Sequence, residues 1–155
     1  KMEKRVVVTG IGAISPLGEN AIELWDGIQN TKCGIDEITL IDTSTFKTKL
    51  AAEVKNYEPT KNFDVKQAKR LDRVSQFAMI AAREAFKDSG IEKDNTNFDN
   101  VGIYIGSGIG GFNTIESQCV LCSEKGNGKV SPMFIPVTPV TETISPHSAD
   151  STSVS

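Results

Sequence analysis

The chain has 155 residues, of which 38% are hydrophobic and 24% are charged, and its net charge is −3 at pH 7. This composition is typical of a soluble globular domain that can bury a core, and the acidic balance argues against a nucleic-acid partner. No apolar run approaches the roughly 20 residues that span a bilayer, and no basic-then-apolar leader is present, so we expect neither a membrane partner nor export. The odd count of three cysteines favours a reduced, cytoplasmic protein over a disulfide framework.

The first third of the chain predicts a strand, a glycine turn and a helix. Val6–Thr9 is a short β-branched run that ends at Gly10, as expected of a buried strand. Asn20 is a suitable N-cap for a helix whose apolar residues recur every three positions, at Ile22, Trp25 and Ile28. Residues 30 to 47 predict loops, and residues 49 to 54 a second short strand.

The middle of the chain alternates helices and strands. Asp64 and Gly90 are a suitable N-cap and C′ residue for one long helix between them. Its apolar residues recur every three or four positions, at Ala68, Leu71, Val74, Ala78, Ala81 and Ala85. The alanines at 78, 81, 82 and 85 form a stripe that lets another element approach closely. A third strand is predicted at residues 101 to 105 and a helix at residues 114 to 124. This order predicts an α/β fold with a parallel or mixed sheet.

The composition changes after Pro136, which suggests a boundary. Residues 137 to 155 contain nine serines or threonines among nineteen residues and no lysine or arginine. They show no helical or strand period, so we predict a solvated tail following a folded segment at residues 1 to 136.

Two glycine clusters invite comparison with nucleotide-binding loops. Gly10 and Gly12 begin a G-x-G-x-x-G pattern, but Ser15 takes the third glycine position and Pro16 follows it. This disfavours a dinucleotide-binding module, and close backbone packing at a tight turn is the simpler interpretation. The second cluster, GSGIGG at residues 106 to 111, lacks the Gly-Lys-Ser ending of a P-loop. By itself, Ile109 within it could equally be a core residue in a turn.

Three segments in register carry a resemblance to a known family. They are RVVVTGIGAISPLG at residues 5 to 18, VGIYIGSGIGGF at 101 to 112 and KVSPMFIP at 129 to 136. In this order they resemble the N-terminal part of a bacterial type II β-ketoacyl-acyl-carrier-protein synthase. The resemblance implies part of a thiolase-like α/β fold, a mixed sheet with packed helices. It also implies decarboxylating condensation of an acyl thioester with malonyl carrier protein in fatty-acid elongation, by a homodimer.

The resemblance further implies roles for particular residues. Ile109 resembles the isoleucine that lines the acyl tunnel and acts as a gate, with Gly108 and Gly110 permitting its movement. Met133 and Phe134 resemble residues that reach across the homodimer interface toward the partner's tunnel. These assignments require that Ile109 lie at an apolar channel or a subunit seam.

Four basic residues match positions where the family meets acidic acyl carrier protein. They are Lys66, Lys69, Arg70 and Lys129. The first three are spaced so that one helical face can present them. Without the family, an ordinary solvated helix face would explain them equally well.

The resemblance places the nucleophilic cysteine and the catalytic histidines later in the family's sequence. We therefore assign no catalytic residue here, and we expect the chain alone to be inactive and to associate with itself or a complementary chain. Cys33, the Cys119-x-x-Cys122 pair and His147 match no catalytic position, and we expect neither a metal nor a cofactor. The alternatives are a non-catalytic partner subunit that sets chain length and, less favoured, a dinucleotide-binding module.

Overall fold

The computed structural model describes residues 5–92, 94–132 and 134, and within them the chain forms two compact units. Of the described residues, the first unit takes in residues 5–62 and 79–90, and the second takes in residues 63–78, 91–92, 94–132 and 134. The α-helices are α1 (Ala21–Gln29), α2 (Val65–Arg70), α3 (Arg73–Asp88) and α4 (Phe112–Lys125). The strands are β1 (Ile35–Glu37) and β2 (Leu50–Ala52), and three short 3₁₀ helices lie at Pro59–Lys61, Phe98–Asn100 and Asn127–Lys129.

The predicted cap of α1 is confirmed. Asn20 has an extended backbone, and its side-chain Oδ1 accepts a hydrogen bond of 2.8 Å from the backbone N–H of Glu23. This bond satisfies one of the four N–H groups that a helix start leaves without an intrahelical partner. A local side-chain choice therefore fixes where α1 begins.

The glycine turn of the first unit packs directly on the backbone of α3. A Cβ atom at Gly12 would overlap the carbonyl oxygen of Ala81, and one at Gly10 would overlap that of Ala85. Only glycine permits this approach, and the alanines of α3 leave the space for it. The interpretation of the turn as a close-packing device is confirmed.

The sheet of the described residues is a two-stranded antiparallel hairpin in which Ile35 pairs with Ala52. The Lys55 side chain donates a 2.7 Å hydrogen bond to Asp36, which with a backbone bond lowers the pKa of that carboxyl below its usual value. Backbone N–H donation from Thr39 likewise lowers the pKa of Glu53. The predicted strand at residues 49 to 54 is present in its centre, whereas β1 lies where only loop was predicted.

Two other predicted strands, at Val6–Thr9 and residues 101 to 105, are not strands in the described structure. Val6 is 94% exposed and Tyr104 is 96% exposed. The residues are β-branched or apolar, but a strand also needs a neighbouring strand to pair its backbone groups. Within the described ranges, the hairpin of β1 and β2 supplies no such neighbour to either segment.

The long helix predicted between Asp64 and Gly90 is two helices, with the break at Leu71. Its two ends are as predicted. Asp64 Oδ1 accepts hydrogen bonds of 2.8 Å from the Lys66 and Gln67 N–H groups, and Gly90 has a φ of +66°. At the break Leu71 is extended, with φ −86° and ψ 132°.

The break is stabilised by the buried side chain of Gln76. Its Nε2 donates to the carbonyl oxygens of Ala68, at 3.0 Å, and of Leu71, at 2.9 Å. These bonds serve carbonyl groups that the end of α2 would otherwise leave without a partner. The kink is therefore a hydrogen-bonded feature and not a frayed end.

Few large apolar side chains of the described residues are buried. Phe63 is 5% exposed and forms the buried hydrophobic core. Many others are at least half exposed, among them Val6, Val8, Ile11, Ile22, Trp25, Ile35, Leu40, Tyr104, Ile109 and Phe112. Apolar surface on this scale is typical of faces that bind further polypeptide.

Replacing Gly12 with alanine tests the backbone contact in the first unit. The added Cβ would meet the Ala81 carbonyl and lie 2.7 Å from the Ala85 nitrogen. We expect Gly12→Ala to reduce the free energy of unfolding by about 1–3 kcal/mol, because overpacking forces the backbone apart. Gly128→Ala is the control, since its Cβ would meet no atom within 4 Å. Equal urea midpoints for the two variants would contradict the close packing.

Candidate functional site

The glycine-rich loop at residues 106–111 is called the glycine loop below. Its N-terminal part has open space around it, whereas its C-terminal end is closely packed. A Cβ atom at Gly106 or Gly108 would meet no atom within 4 Å. Gly110 has a φ of +76°, which favours glycine, and its N–H donates to Ser107 Oγ at 3.0 Å. Ile109 therefore lies between an unhindered glycine and a left-handed one.

The C-terminal end of the glycine loop is held by a buried carboxylate. Gly111 is the N-cap of α4 and offers no side chain to cap it. Asp72 takes this role: its Oδ2 accepts hydrogen bonds from Thr114 N at 3.1 Å and Thr114 Oγ1 at 2.6 Å. A Cβ at Gly111 would lie 2.7 Å from the same oxygen. The missing side chain at Gly111 is thus the space that the Asp72 carboxylate uses.

The sequence singled out Ile109 and its glycines but did not identify Asp72. The apolar period of α3 continues across residue 72, which hid the break. The signal that could have found it is an aspartate inside a helical pattern, because aspartate competes for backbone N–H groups and favours caps.

The side chain of Ile109 is 64% exposed, and the following Phe112 is also exposed. The described residues of this chain therefore do not enclose Ile109 in a channel, and its role as a gate remains a prediction. Phe134 is half-buried, and its N–H donates to the carbonyl of Ser131 at 3.0 Å. Met133 lies outside the described residues, as do His147 and the predicted tail at residues 137 to 155.

The predicted basic face is on α2. Lys66, Lys69 and Arg70 are exposed and occupy positions three and four apart. The two ion pairs of the described residues, Lys32–Asp26 and Lys55–Asp36, involve none of them. Lys129 is also exposed, at the end of a 3₁₀ helix that follows α4. All four belong to the second unit, and the three on α2 form one positively charged helical face.

The glycine turn of the first unit is arranged differently from a phosphate-binding loop. Such a loop leaves its backbone N–H groups free for the phosphate. Here the Ala13 and Ala21 N–H groups donate to the Glu84 carboxylate at 2.8 and 2.9 Å. The Ile11 N–H donates to Asp88 at 2.9 Å. Because carboxylates already occupy these donors, the geometry speaks against a dinucleotide at this turn.

The first unit also contains an open cleft of about 780 Å³ beside this turn. Its lining is mostly apolar, with Glu84, Lys87 and Asp88 as the charged residues. The apolar members are Ile11, Ala13, Ala21, Ile22, Leu24, Trp25 and Ile28. None of the residues singled out from the sequence as tunnel or docking residues lines this cleft.

The three cysteines are free thiols. Cys122 Sγ lies 3.4 Å from Asn127 Oδ1, whereas Cys119 is exposed on the same helix. No cluster of three or more histidine, cysteine or carboxylate side chains suited to a metal occurs among the described residues.

Comparison with known proteins decides the family. Residues 3–150 match the family model described as the N-terminal domain of β-ketoacyl synthase. The chain belongs to the β-ketoacyl synthase family. In that part of the β-ketoacyl synthase which the structure describes, no helix is both long enough and apolar enough to cross a membrane.

Bacterial relatives of this β-ketoacyl synthase chain are identical to it at 43–45% of the aligned residues. The 3-oxoacyl-[acyl-carrier-protein] synthase 2 of Staphylococcus aureus strain N315 is 43% identical over 134 residues, 86% of this chain and 32% of the relative. The protein of the same name from Coxiella burnetii is 45% identical over 136 residues, 87% of this chain and 33% of the relative. The chain therefore spans about a third of the length of these relatives.

Solved structures of ketosynthases share the fold. A β-ketoacyl synthase from Burkholderia phymatum has a TM-score of 0.69 and 24% identity, over 88% of this chain and 34% of that one. The ishigamide ketosynthase/chain length factor has a TM-score of 0.62 and 26% identity, over 83% and 32%. A type II polyketide synthase acyl-carrier protein in complex with its ketosynthase, AntDE:AntF, gives 0.68 and 23%, over 88% and 36%. The partial thiolase-like fold is confirmed.

Alanine substitutions in the glycine loop test how its two ends differ. Gly111→Ala would displace the Asp72 carboxylate, and we expect a loss of about 1–3 kcal/mol in the free energy of unfolding. Gly108→Ala enters open space, so we expect a change within about 0.5 kcal/mol. Urea unfolding followed by circular dichroism measures both. A Gly108→Ala variant as unstable as Gly111→Ala would contradict the described geometry.

Proposed function

We propose that this chain is part of a 3-oxoacyl-acyl-carrier-protein synthase that elongates fatty acids. The observation that carries the proposal is the 43–45% identity to relatives of that name over 86–87% of the chain. The reaction joins an acyl thioester to malonyl carrier protein, and carbon dioxide leaves. The chain supplies parts for substrate recognition, and the nucleophile belongs to the two thirds of the relatives that it does not match.

The proposed chemistry divides into two transfers. A cysteine thiolate first takes the acyl group from its thioester and releases the carrier's thiol. Loss of carbon dioxide from the malonyl group then leaves a carbanion, which attacks the acyl-cysteine carbonyl. A carbon–carbon bond forms, and the cysteine leaves as a thiolate. Two histidines of the family stabilise the developing negative charge.

In this proposal Ile109 is a movable part of the acyl tunnel wall. Each methylene group that leaves water contributes about 0.8 kcal/mol, so an apolar tunnel can distinguish chain lengths. The unhindered Gly108 and the left-handed Gly110 provide the backbone freedom for such movement. The exposed apolar side chain of Ile109 fits a surface completed by further polypeptide, either the rest of the synthase or a second copy. Met133 and Phe134 are assigned to the homodimer seam.

The basic face of α2 is the proposed docking surface for acyl carrier protein, together with Lys129. Its three positive side chains are exposed and take part in none of the described ion pairs. An acidic partner would be steered by this field, and the main effect is on the association rate. One structural relative is a carrier protein in complex with its ketosynthase, so this class of protein does bind such a partner. The free thiols fit work in the reducing cytoplasm.

A second candidate function is a non-catalytic partner subunit that sets chain length. The similarity to a ketosynthase/chain length factor, at 26% identity, favours keeping this candidate. The residue at the position of the nucleophilic cysteine would distinguish the two candidates, because the partner subunit lacks that cysteine. The higher identity to the catalytic relatives makes the synthase our conclusion.

A chimera tests the synthase proposal. Residues 2 to 136 would replace the matching third of the S. aureus synthase 2, and we expect 3-oxoacyl carrier protein to form from acyl and malonyl carrier proteins. The 155-residue chain alone should form none. Mass spectrometry of the carrier-bound product gives the readout. A chimera that is folded by circular dichroism and yet makes no product would contradict the proposal, as would product from the chain alone.

Charge removal on α2 tests the docking surface. In the active chimera, we expect Lys66→Gln, Lys69→Gln and Arg70→Gln together to slow association with acyl carrier protein on the order of tenfold at low salt. The matched control removes three charges from the first unit, at Lys47, Lys49 and Lys61, which are also exposed. Stopped-flow association at two salt concentrations measures the effect. Equal losses in both variants would show a general charge effect and no docking site.

A further inference from the structure

Asp72 lies between α2, which carries the basic face, and the glycine loop to which its side chain is bonded through Thr114. It lies two residues after the end of α2, and it is a buried carboxylate with 9% of its surface exposed. Oδ1 lies 3.4 Å from the Val74 N–H in the first turn of α3, and Oδ2 accepts both hydrogen bonds from Thr114 in α4. One side chain thus faces the starts of two helices.

The start of α4 depends on a residue that is distant in sequence. Most helices are capped by the residue that precedes them, but Gly111 has no side chain to do so. Asp72 is 42 residues away and provides both the acceptor and a negative charge at a helix N-terminus, where such charge is favoured. The anchor of α4 therefore lies outside the loop that leads into it.

This separation allows the glycine loop to move without loosening the helix. A Cβ atom at Gly106 or Gly108 would meet no atom within 4 Å, so the loop is unhindered there, whereas Thr114 is bonded to Asp72. A helix capped from within its own loop would lose the cap whenever the loop turned. The glycine loop is thus a flexible segment whose C-terminal end is held by the bonds between Asp72 and Thr114.

We propose that Asp72 is a positioning residue that sets where the glycine loop holds Ile109, and so tunes acyl chain-length selection. This inference rests on the proposed synthase function. Asp72 also lies two residues after the end of α2. A carrier protein bound to the basic face of α2 would therefore contact a helix that leads directly to Asp72. Asp72 touches neither substrate nor nucleophile, and its effect reaches the acyl group only through Thr114 and the loop.

Amide hydrogen exchange on the 155-residue chain tests the anchor. In Asp72→Ala and in Thr114→Val, we expect the Thr114 amide and its neighbours in the first turn of α4 to exchange on the order of tenfold faster. Thr114→Ser keeps the hydroxyl and should exchange as the parent does. The amides of α1 are the internal control. Unchanged exchange at Thr114 in both disruptive variants would overturn the inference.

Chain-length selection in the active chimera separates positioning from mere stability. We expect Asp72→Ala to change the ratio of kcat/KM for long and short acyl carrier proteins by about fivefold, while the KM for malonyl carrier protein stays within about twofold. Thr114→Ser should keep the parent ratio. An equal loss of kcat/KM at every chain length would assign Asp72 a structural role only. An inactive parent chimera would count against the synthase function, and the exchange measurement decides the anchor independently.

Discussion

The local structure of the second unit depends on one buried carboxylate, that of Asp72, which accepts hydrogen bonds at the starts of two helices. The N-terminus of each helix leaves backbone N–H groups without partners, and burying such donors unsatisfied costs about 1–3 kcal/mol each. Asp72 serves the starts of α3 and α4 together. Gly111 leaves the space for this carboxylate, which caps the start of α4, whereas Gln76 stabilises the break after α2. A longer residue at 111 would remove the space, and a neutral residue at 72 would leave both helix starts without the charge.

In the first unit, carboxylates of α3 also accept hydrogen bonds from backbone N–H groups. Glu84 and Asp88 accept hydrogen bonds from the backbone of the glycine turn, and Gly10 and Gly12 bring that backbone against the helix. A glycine turn of this pattern can therefore serve two different purposes, depending on whether its N–H groups are free or already bonded. Free N–H groups beside glycines make an anion site, whereas N–H groups already bonded to carboxylates make a packing joint. In this turn, N–H groups that a nucleotide loop would offer to a phosphate are bonded to carboxylates of α3.

Local features could be predicted from the sequence, and non-local ones could not. The caps at Asn20, Asp64 and Gly90 depend on residues a few positions away, and each is present. The basic face of α2 follows from helical spacing alone. The break at Leu71 is stabilised by a bond from Gln76, five residues further along, and the cap of α4 joins Asp72 to Thr114, 42 residues away. The continuous apolar period concealed both.

The predicted strands and the surroundings of Ile109 likewise depend on non-local contacts that the sequence pattern does not give. Val6–Thr9 has the composition of a strand, but pairing needs a neighbour that no local pattern supplies. Ile109 was found because its motif resembles a family, and its surroundings could not be deduced from that motif. Its exposure depends on which polypeptide completes the surface.

The two units carry different parts of the proposed recognition. The second unit contains the basic helix, the glycine loop and the carboxylate between them, so partner binding and chain selection share one hydrogen-bonded segment. The first unit contains the packing joint and an open apolar cleft, and its acidic groups are used for structure. Recognition of a carrier and of its acyl chain must be coordinated, because the carrier delivers the chain. If α2 docks the carrier as proposed, its end lies two residues before Asp72, which is a short physical route for that coordination.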